Sequence, residues 1–187
     1  MALTAQDERL IKALAVAFVE RPRATLKELA EAAGVSKATL HRFCGTRDNL
    51  VEMLITHGET VIGQILSAGD LQHAEPLDAL RRLIGEHLMH RELLVFLMFQ
   101  YNPDTLDPKA EDDRWQSYCV ALDRFFLRGQ QEGVFRIDIS AAVLSELFLS
   151  LIFGIVDAER RGRMARSGSA VILEQIFLHG AAAPTRA

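Results

Sequence analysis

Residues 25–50 read TLKELAEAAGVSKATLHRFCGTRDNL, and the order of caps, apolar positions and glycines in this stretch decides the fold. Thr25 and Glu28 have capping-box spacing, in which hydroxyl and carboxylate satisfy amides at each other's ends. They open a short helix, 26–33, closed at Gly34, where glycine tolerates the left-handed conformation a helix end requires. Ser36 caps a second short helix reaching about Phe43, and Gly45 breaks it. Thr46 caps a longer stretch through Leu50, Met53, Leu54, Val61, Ile62, Ile65 and Leu66. Two short helices joined by a tight glycine-containing turn are a helix-turn-helix. Leu29 and Ala30 face inward from the first, Ala30 being small where the helices cross, and Val35 plugs the turn. Leu40 turns inward from the second, leaving Lys37, Thr39, His41 and Arg42 outside. A helix of this kind fits the major groove of DNA, with side chains near its N-terminus reaching base edges. Thr25, Lys27 and Arg47 add hydroxyls and charge at its flanks, and the helix starts at Thr25 and Thr46 offer amides to phosphates.

Outside this stretch nearly every periodic segment has helical spacing. Leu10, Ile11, Leu14, Phe18 and Val19 form a stripe that ends at Arg21-Pro22. Pro76 opens a helix through Leu77, Leu80, Leu83 and Leu88. Leu93 to Phe99 is apolar all round and, with no β partner elsewhere, reads as a buried helix. Asp107-Pro108 supplies a cap and a first-turn proline for a helix through Trp115, Tyr118, Leu122 and Phe126 to Gly133. Asp138 or Ser140 begins another, from Val143 to about Arg161, and Ala170 to His179 is the ninth. The expected fold is all-α with nine helices: a three-helix head, 1–48, on a helical body, 49–187.

The chain has 187 residues, 49% hydrophobic and 25% charged, ordinary proportions for a packed protein. Its net charge of −4 hides a split. Residues 1–50 hold eight Lys/Arg and six Asp/Glu, a net of +2, and the remaining thirteen and nineteen give −6. A locally basic face on an acidic body suits DNA binding. Cys44 and Cys119 form no CxxC pair and fit a reducing setting. The polar N-terminus carries no secretory signal, and the longest unbroken apolar run, Leu93 to Phe99, is short of the ~18 residues that span a bilayer. The expectation is a cytoplasmic protein without membrane contact.

Residues 25–50, with the helix before them and the all-α pattern after them, resemble the TetR family of transcriptional regulators. The segments HRELLVFLMFQY (90–101), RGQQEGVFRIDI (128–139) and VDAERRGR (156–163) extend the resemblance over most of the chain, toward the NfxB-type repressors of multidrug efflux operons. The resemblance implies that Lys37, Ala38, Thr39, His41 and Arg42 face DNA, with Ser36 and Thr25 at the helix starts. It matches Lys27 to a contact near the start of the second helix, and Arg47 to a basic residue that holds a phosphate. Two positions depart from the family: His41 stands where a tyrosine is usual, and Cys44 where an aromatic is usual. The resemblance also implies a small-molecule cavity in the body, lined by some of His57, Val61, Phe96, Phe99, Trp115, Tyr118, Leu122 and Phe153. The implied inducer is apolar or cationic. Leu144, Leu147, Leu151 and Ile155, with Ile172 and Ile176, recur at helical spacing on helices more apolar than one buried face needs. They are the expected interface of a homodimer, which leaves further pairing of dimers open.

Other features have plainer readings. Cys44 invites a redox role, but no neighbouring thiol is in evidence and inert packing is favoured. His87 and His90, with His57 upstream, have helical spacing for a metal, yet no further ligand stands convincingly beside them, so no metal is expected. The run Glu159 to Arg163 suits a helix C-terminus. No catalytic motif appears, so neither an enzyme nor a cofactor is expected. The partner called for is double-stranded operator DNA. Two rivals remain: a DNA-binding regulator on the same fold that answers to a protein or to no ligand, and an α-helical enzyme with an incidental helix-turn-helix.

Overall fold

The computed structural model describes residues 4–100 and 113–181, and the expected helix start at Asp107-Pro108 lies outside them. Among the described residues the α-helices are α1 (Ala5–Glu20), α2 (Leu26–Ala32), α3 (Lys37–Cys44), α4 (Arg47–Gly69), α5 (Pro76–Met89), α6 (Arg91–Gln100), α7 (Asp113–Gln131), α8 (Ala141–Arg160) and α9 (Ser169–Ala181). No strand occurs among them. The chain forms two compact units, one of Met1–Thr60 with Arg91–Leu106, the other of Val61–His90 with Asp107–Ala187. Residues 49–60 and α6 therefore pack with the head.

In the first unit α1 lies against α6, and Phe18 meets Phe96 edge to face with ring centres 5.4 Å apart. Leu14, Leu29, Leu40, Leu50 and Leu54 are wholly buried and bring α1 to α4 onto one core. Capping at Thr25 and Ser36 does what the sequence asks, and Thr4 adds a further cap. Thr4 with Asp7 and Thr25 with Glu28 both close capping boxes, and Ser36 accepts from the Thr39 amide. Gly34 has φ +72°, which a side chain would strain, and the Val35 amide then returns to the Ala30 carbonyl at 2.9 Å. A Cβ on Gly58 would come within 2.7 Å of the Leu97 side chain, which would have to shift to make room.

In the second unit α7 packs on α8, and α9 on both α5 and α8. Its centre is a cluster of Phe125, Phe126, Phe135, Phe148 and Phe177, with ring centres 4.9–6.0 Å apart. Phe135 lies over Gly129, where any Cβ would overlap its ring. Ser140, not Asp138, caps α8. That helix is long and apolar enough to cross a membrane, a property missed by looking only for an unbroken apolar run. Leu144, Phe148, Ile152, Ile155 and Val156 of α8 are buried within the unit, as in the core helix of a globular protein.

His87 is a buried polar residue in this core, as are Ser145 and Ser169. Nδ1 donates to the Leu83 carbonyl at 2.6 Å, so Nε2 accepts from the Tyr118 hydroxyl, and the imidazole edge meets the Phe148 ring. Both ring nitrogens are engaged, which leaves none for a metal. Burial pushes His87 down to about 4 from an ordinary 6.5, outweighing the raising effect of the Leu83 carbonyl. Burial pushes the Tyr118 hydroxyl well up. As pH falls, the unfolded chain takes up this proton first. The stability owed to neutral His87 is therefore complete above the unfolded value of 6.5 and lost between there and about 4. Between pH 7 and pH 5 that one residue should remove about 2 kcal/mol from the unfolding free energy. Urea unfolding at both pH values checks this: the parent chain should lose about 2 kcal/mol more than His87→Gln.

Candidate nucleic-acid interface

The exposed face of α3 begins with its cap. Ser36 Oγ accepts from the Thr39 amide at 3.0 Å and lies 2.8 Å from the Thr39 hydroxyl, so the two hydroxyls are fixed as a pair. Lys37, Ala38, His41 and Arg42 are exposed, Thr39 is half-buried, and Leu40 and Cys44 are buried beneath them. The alternation is enforced by an eight-residue helix that has one apolar face to bury. Neither Lys37 nor Arg42 takes part in an ion pair among the described residues, so both cations are available to an anionic partner.

Cys44 donates its thiol to the Leu40 carbonyl at 3.3 Å, and burial pushes its pKa up. That is the setting of an unreactive thiol. It occupies the position where the resemblance would place an aromatic ring.

At the start of α2 the capping box is fully formed. The Glu28 carboxylate accepts from the Thr25 amide at 2.7 Å and from the Thr25 hydroxyl at 2.8 Å, and the Glu28 amide donates back to that hydroxyl oxygen. Those hydrogen bonds hold the carboxyl below its usual range. The box engages the amides of Thr25 and Glu28 and places a carboxylate at this helix end. Lys27 is exposed and pairs loosely with Glu31 at 3.7 Å, a contact between two well-exposed groups that a phosphate can replace.

Arg47 departs further from expectation. It is half-buried and turned inward: Nη2 donates to the Pro22 carbonyl at 2.6 Å and Nε to the Ala24 carbonyl at 3.3 Å. Its guanidinium carbon lies 4.5 Å from the centre of the Phe18 ring. In this arrangement Arg47 ties α4 to the loop between α1 and α2.

The sequence reading also missed Arg9. With Leu10 and Ala13 of α1, it lines an open groove of about 580 Å3 whose other wall includes Thr39 and Arg42. Its position on the exposed face of a well-patterned helix was the available signal, but only the packing of α1 beside α3 joins it to Arg42.

The residues expected to line a ligand cavity fall in both units. In the first, Phe96 is fully buried, Phe99 is 47% exposed and His57 is half-buried. In the second, Val61, Tyr118 and Leu122 are buried, while Trp115 and Phe153 are half-buried. The expected dimer residues also divide. Leu144 and Ile155 are consumed by the core of their own unit, because the apolar circumference of α8 includes an inward face, and they cannot be outward contacts. Leu147, Ile172 and Ile176 are exposed, Leu151 is half-buried, and Val143 and Val171 join the exposed set.

Comparison with known proteins fits this geometry. No family model matches the chain. The HTH-type transcriptional regulator NfxB of Pseudomonas aeruginosa is 75% identical over 186 residues, with all of both chains covered. Among solved structures, the TetR-like regulator LfrR of Mycobacterium smegmatis in complex with proflavine superposes with TM-score 0.70 at 20% identity, covering 92% of this chain and 94% of its own. AibR, solved with isovaleryl coenzyme A and operator DNA, gives 0.68 at 19% identity over 90% and 96%. Those structures share the fold, and the full-length relative gives the kinship. The chain belongs to the NfxB family of HTH-type transcriptional regulators and reads DNA from a TetR-like fold.

Proposed function

We propose that the protein is a homodimeric repressor of a multidrug efflux operon and of its own gene, acting on the chromosome in the cytoplasm and carrying out no catalytic step. The full-length 75% identity to an HTH-type regulator carries this reading, together with an α3 whose outer face holds two unpaired cations. Arg42 and Lys37 meet base edges, Thr39 and His41 flank them, and Arg9, which lines the same groove as Arg42, takes a phosphate at the groove edge. Arg42→Ala should cost about 1–3 kcal/mol on the operator and much less on scrambled DNA, because bidentate contact to a base discriminates by that amount. Titration of both duplexes, after selection of the operator from random sequence, checks this. Equal losses would make Arg42 a backbone contact.

A second copy covers the outer stripe of α8 and α9. Val143, Leu147, Val171, Ile172 and Ile176 are 40–57% exposed, more apolar surface than two adjacent helices normally leave in water. A two-fold pair sets two recognition helices ~34–36 Å apart, one turn of DNA, and asks for a palindrome. Sedimentation at micromolar concentration should give a dimer. The double variant Leu147→Asp, Ile176→Asp should give a folded monomer that no longer discriminates the operator.

The inducer is an apolar or amphipathic cationic compound, the chemistry that efflux pumps export, and the similar LfrR was solved in complex with a small molecule, proflavine. A specific observation favours a second reading. His87 in the second unit's core is satisfied by the Leu83 carbonyl and the Tyr118 hydroxyl, in an aromatic setting. A core whose buried imidazole is already engaged suits a regulator that answers to a protein or to no ligand. Trp115 fluorescence discriminates: a cationic compound should quench it and release operator DNA over the same concentration range. A panel of such compounds that does neither favours the second reading.

A further inference from the structure

We propose that the loop Arg21-Pro22-Arg23-Ala24 is a second contact to the DNA backbone, with Arg23 holding a phosphate, and that Arg47 is the positioning residue that sets this loop rather than a phosphate ligand itself. The proposal rests on DNA reading by α3 and adds a separate site to it. Its foundation is the way Arg47 is committed. Two of its donors reach the carbonyls of Pro22 and Ala24, the two residues that bracket Arg23. The flat guanidinium lies over Phe18, itself 3% exposed and locked against Phe96. A cation held by two carbonyls and a ring face is not free to swing outward without surrendering all three contacts. Two anchors placed one residue either side fix the backbone of the residue between them. The loop is closed further by the Arg21 amide on the Ala17 carbonyl at 3.0 Å and the Ala24 amide on the Arg21 carbonyl at 2.9 Å.

What this scaffold presents is charge. Arg21, Pro22 and Arg23 are all exposed, and Arg23 enters no ion pair among the described residues. Arg21 differs, since it lies near enough to Glu28 to lower that carboxyl. The loop leads directly into α2, the first helix of the helix-turn-helix, which crosses the sugar-phosphate backbone when its partner enters the groove. The start of α2 is already occupied by the Glu28 carboxylate, so amides alone hold a phosphate poorly there. A side-chain cation one step upstream does so without that repulsion. Arg23 is that cation.

The test uses the full-length chain, the operator duplex recovered by selection and a scrambled duplex, each titrated from 50 to 200 mM salt. Arg23→Ala should weaken both duplexes alike and flatten the slope of log affinity against log salt by about 0.9, one phosphate's worth, so that the parent loses about threefold more affinity than the variant over that range. Arg47→Lys keeps the charge but lacks the planar fork, and should weaken binding as much as Arg47→Ala does. In an Arg23→Ala background, Arg47→Lys should cause no further change of slope. Arg23 lies outside the core, so its variant reads out even if Arg47→Ala fails to fold. Two results overturn the proposal alone: an unchanged slope for Arg23→Ala, or Arg47→Lys binding like the parent while Arg47→Ala loses a phosphate's worth of slope. A parent chain that selects no duplex at all overturns the underlying DNA reading, and the proposal with it.

Discussion

Phe18 carries three relationships at once. Its ring is buried, its edge meets Phe96 of α6, and its face lies under the guanidinium of Arg47 at the start of α4. Arg47 in turn holds the carbonyls of the loop that precedes α2. The orientation of the DNA-reading pair thus depends on a contact between α1, α4 and α6 that touches no base. α6 is nearly 50 residues away in sequence from the helix-turn-helix, yet it packs in the same unit. At Gly58 the Leu97 side chain of α6 fills the space that a side chain on α4 would take.

Electrostatics and packing are apportioned differently in the two units. The first keeps cations outside and unpaired on α3, and places its polar hydrogen bonds at exposed helix caps and at the half-buried Arg47. The second places a neutral imidazole and a phenol together inside a ring of phenylalanines. A buried polar pair of this kind specifies one arrangement of α5 and α7, since a slip of either helix leaves a donor or acceptor without a partner. Such a core resists alternative packings, which bears on how readily a small molecule can open it.

Much of this architecture was legible in the sequence because local rules act within a few residues. The capping box at Thr25, the glycine at the turn, the serine that starts α3 and the inward Leu40 all follow from spacing alone. What was not legible required knowing which distant elements meet. Arg47 carries a basic side chain at a family contact position, and only Phe18, Pro22 and Ala24 around it show where its donors go. The capping box at Thr25 follows from spacing, and the structure adds that its carboxylate stands at the helix end. Leu144 and Leu147 look equivalent in a periodic stripe, and the packing of α8 sends one inward and leaves the other outside. The membrane-like length of α8 was missed because Ser145, Glu146 and Ser150 interrupt an otherwise apolar helix.

α2 has seven residues and α3 has eight, and isolated helices shorter than ~12–15 residues are marginal in water. Neither would persist without the core beneath it, so the reading surface is borrowed from α1, α4 and α6. The number of ways to silence such a regulator therefore far exceeds the number of residues that meet DNA. A side chain added at Gly58, or a gap left at Phe96, abolishes recognition from a distance by loosening a short helix. Under any pressure that rewards loss of regulation, inactivating changes should scatter through the supporting helices instead of gathering on the exposed face of α3.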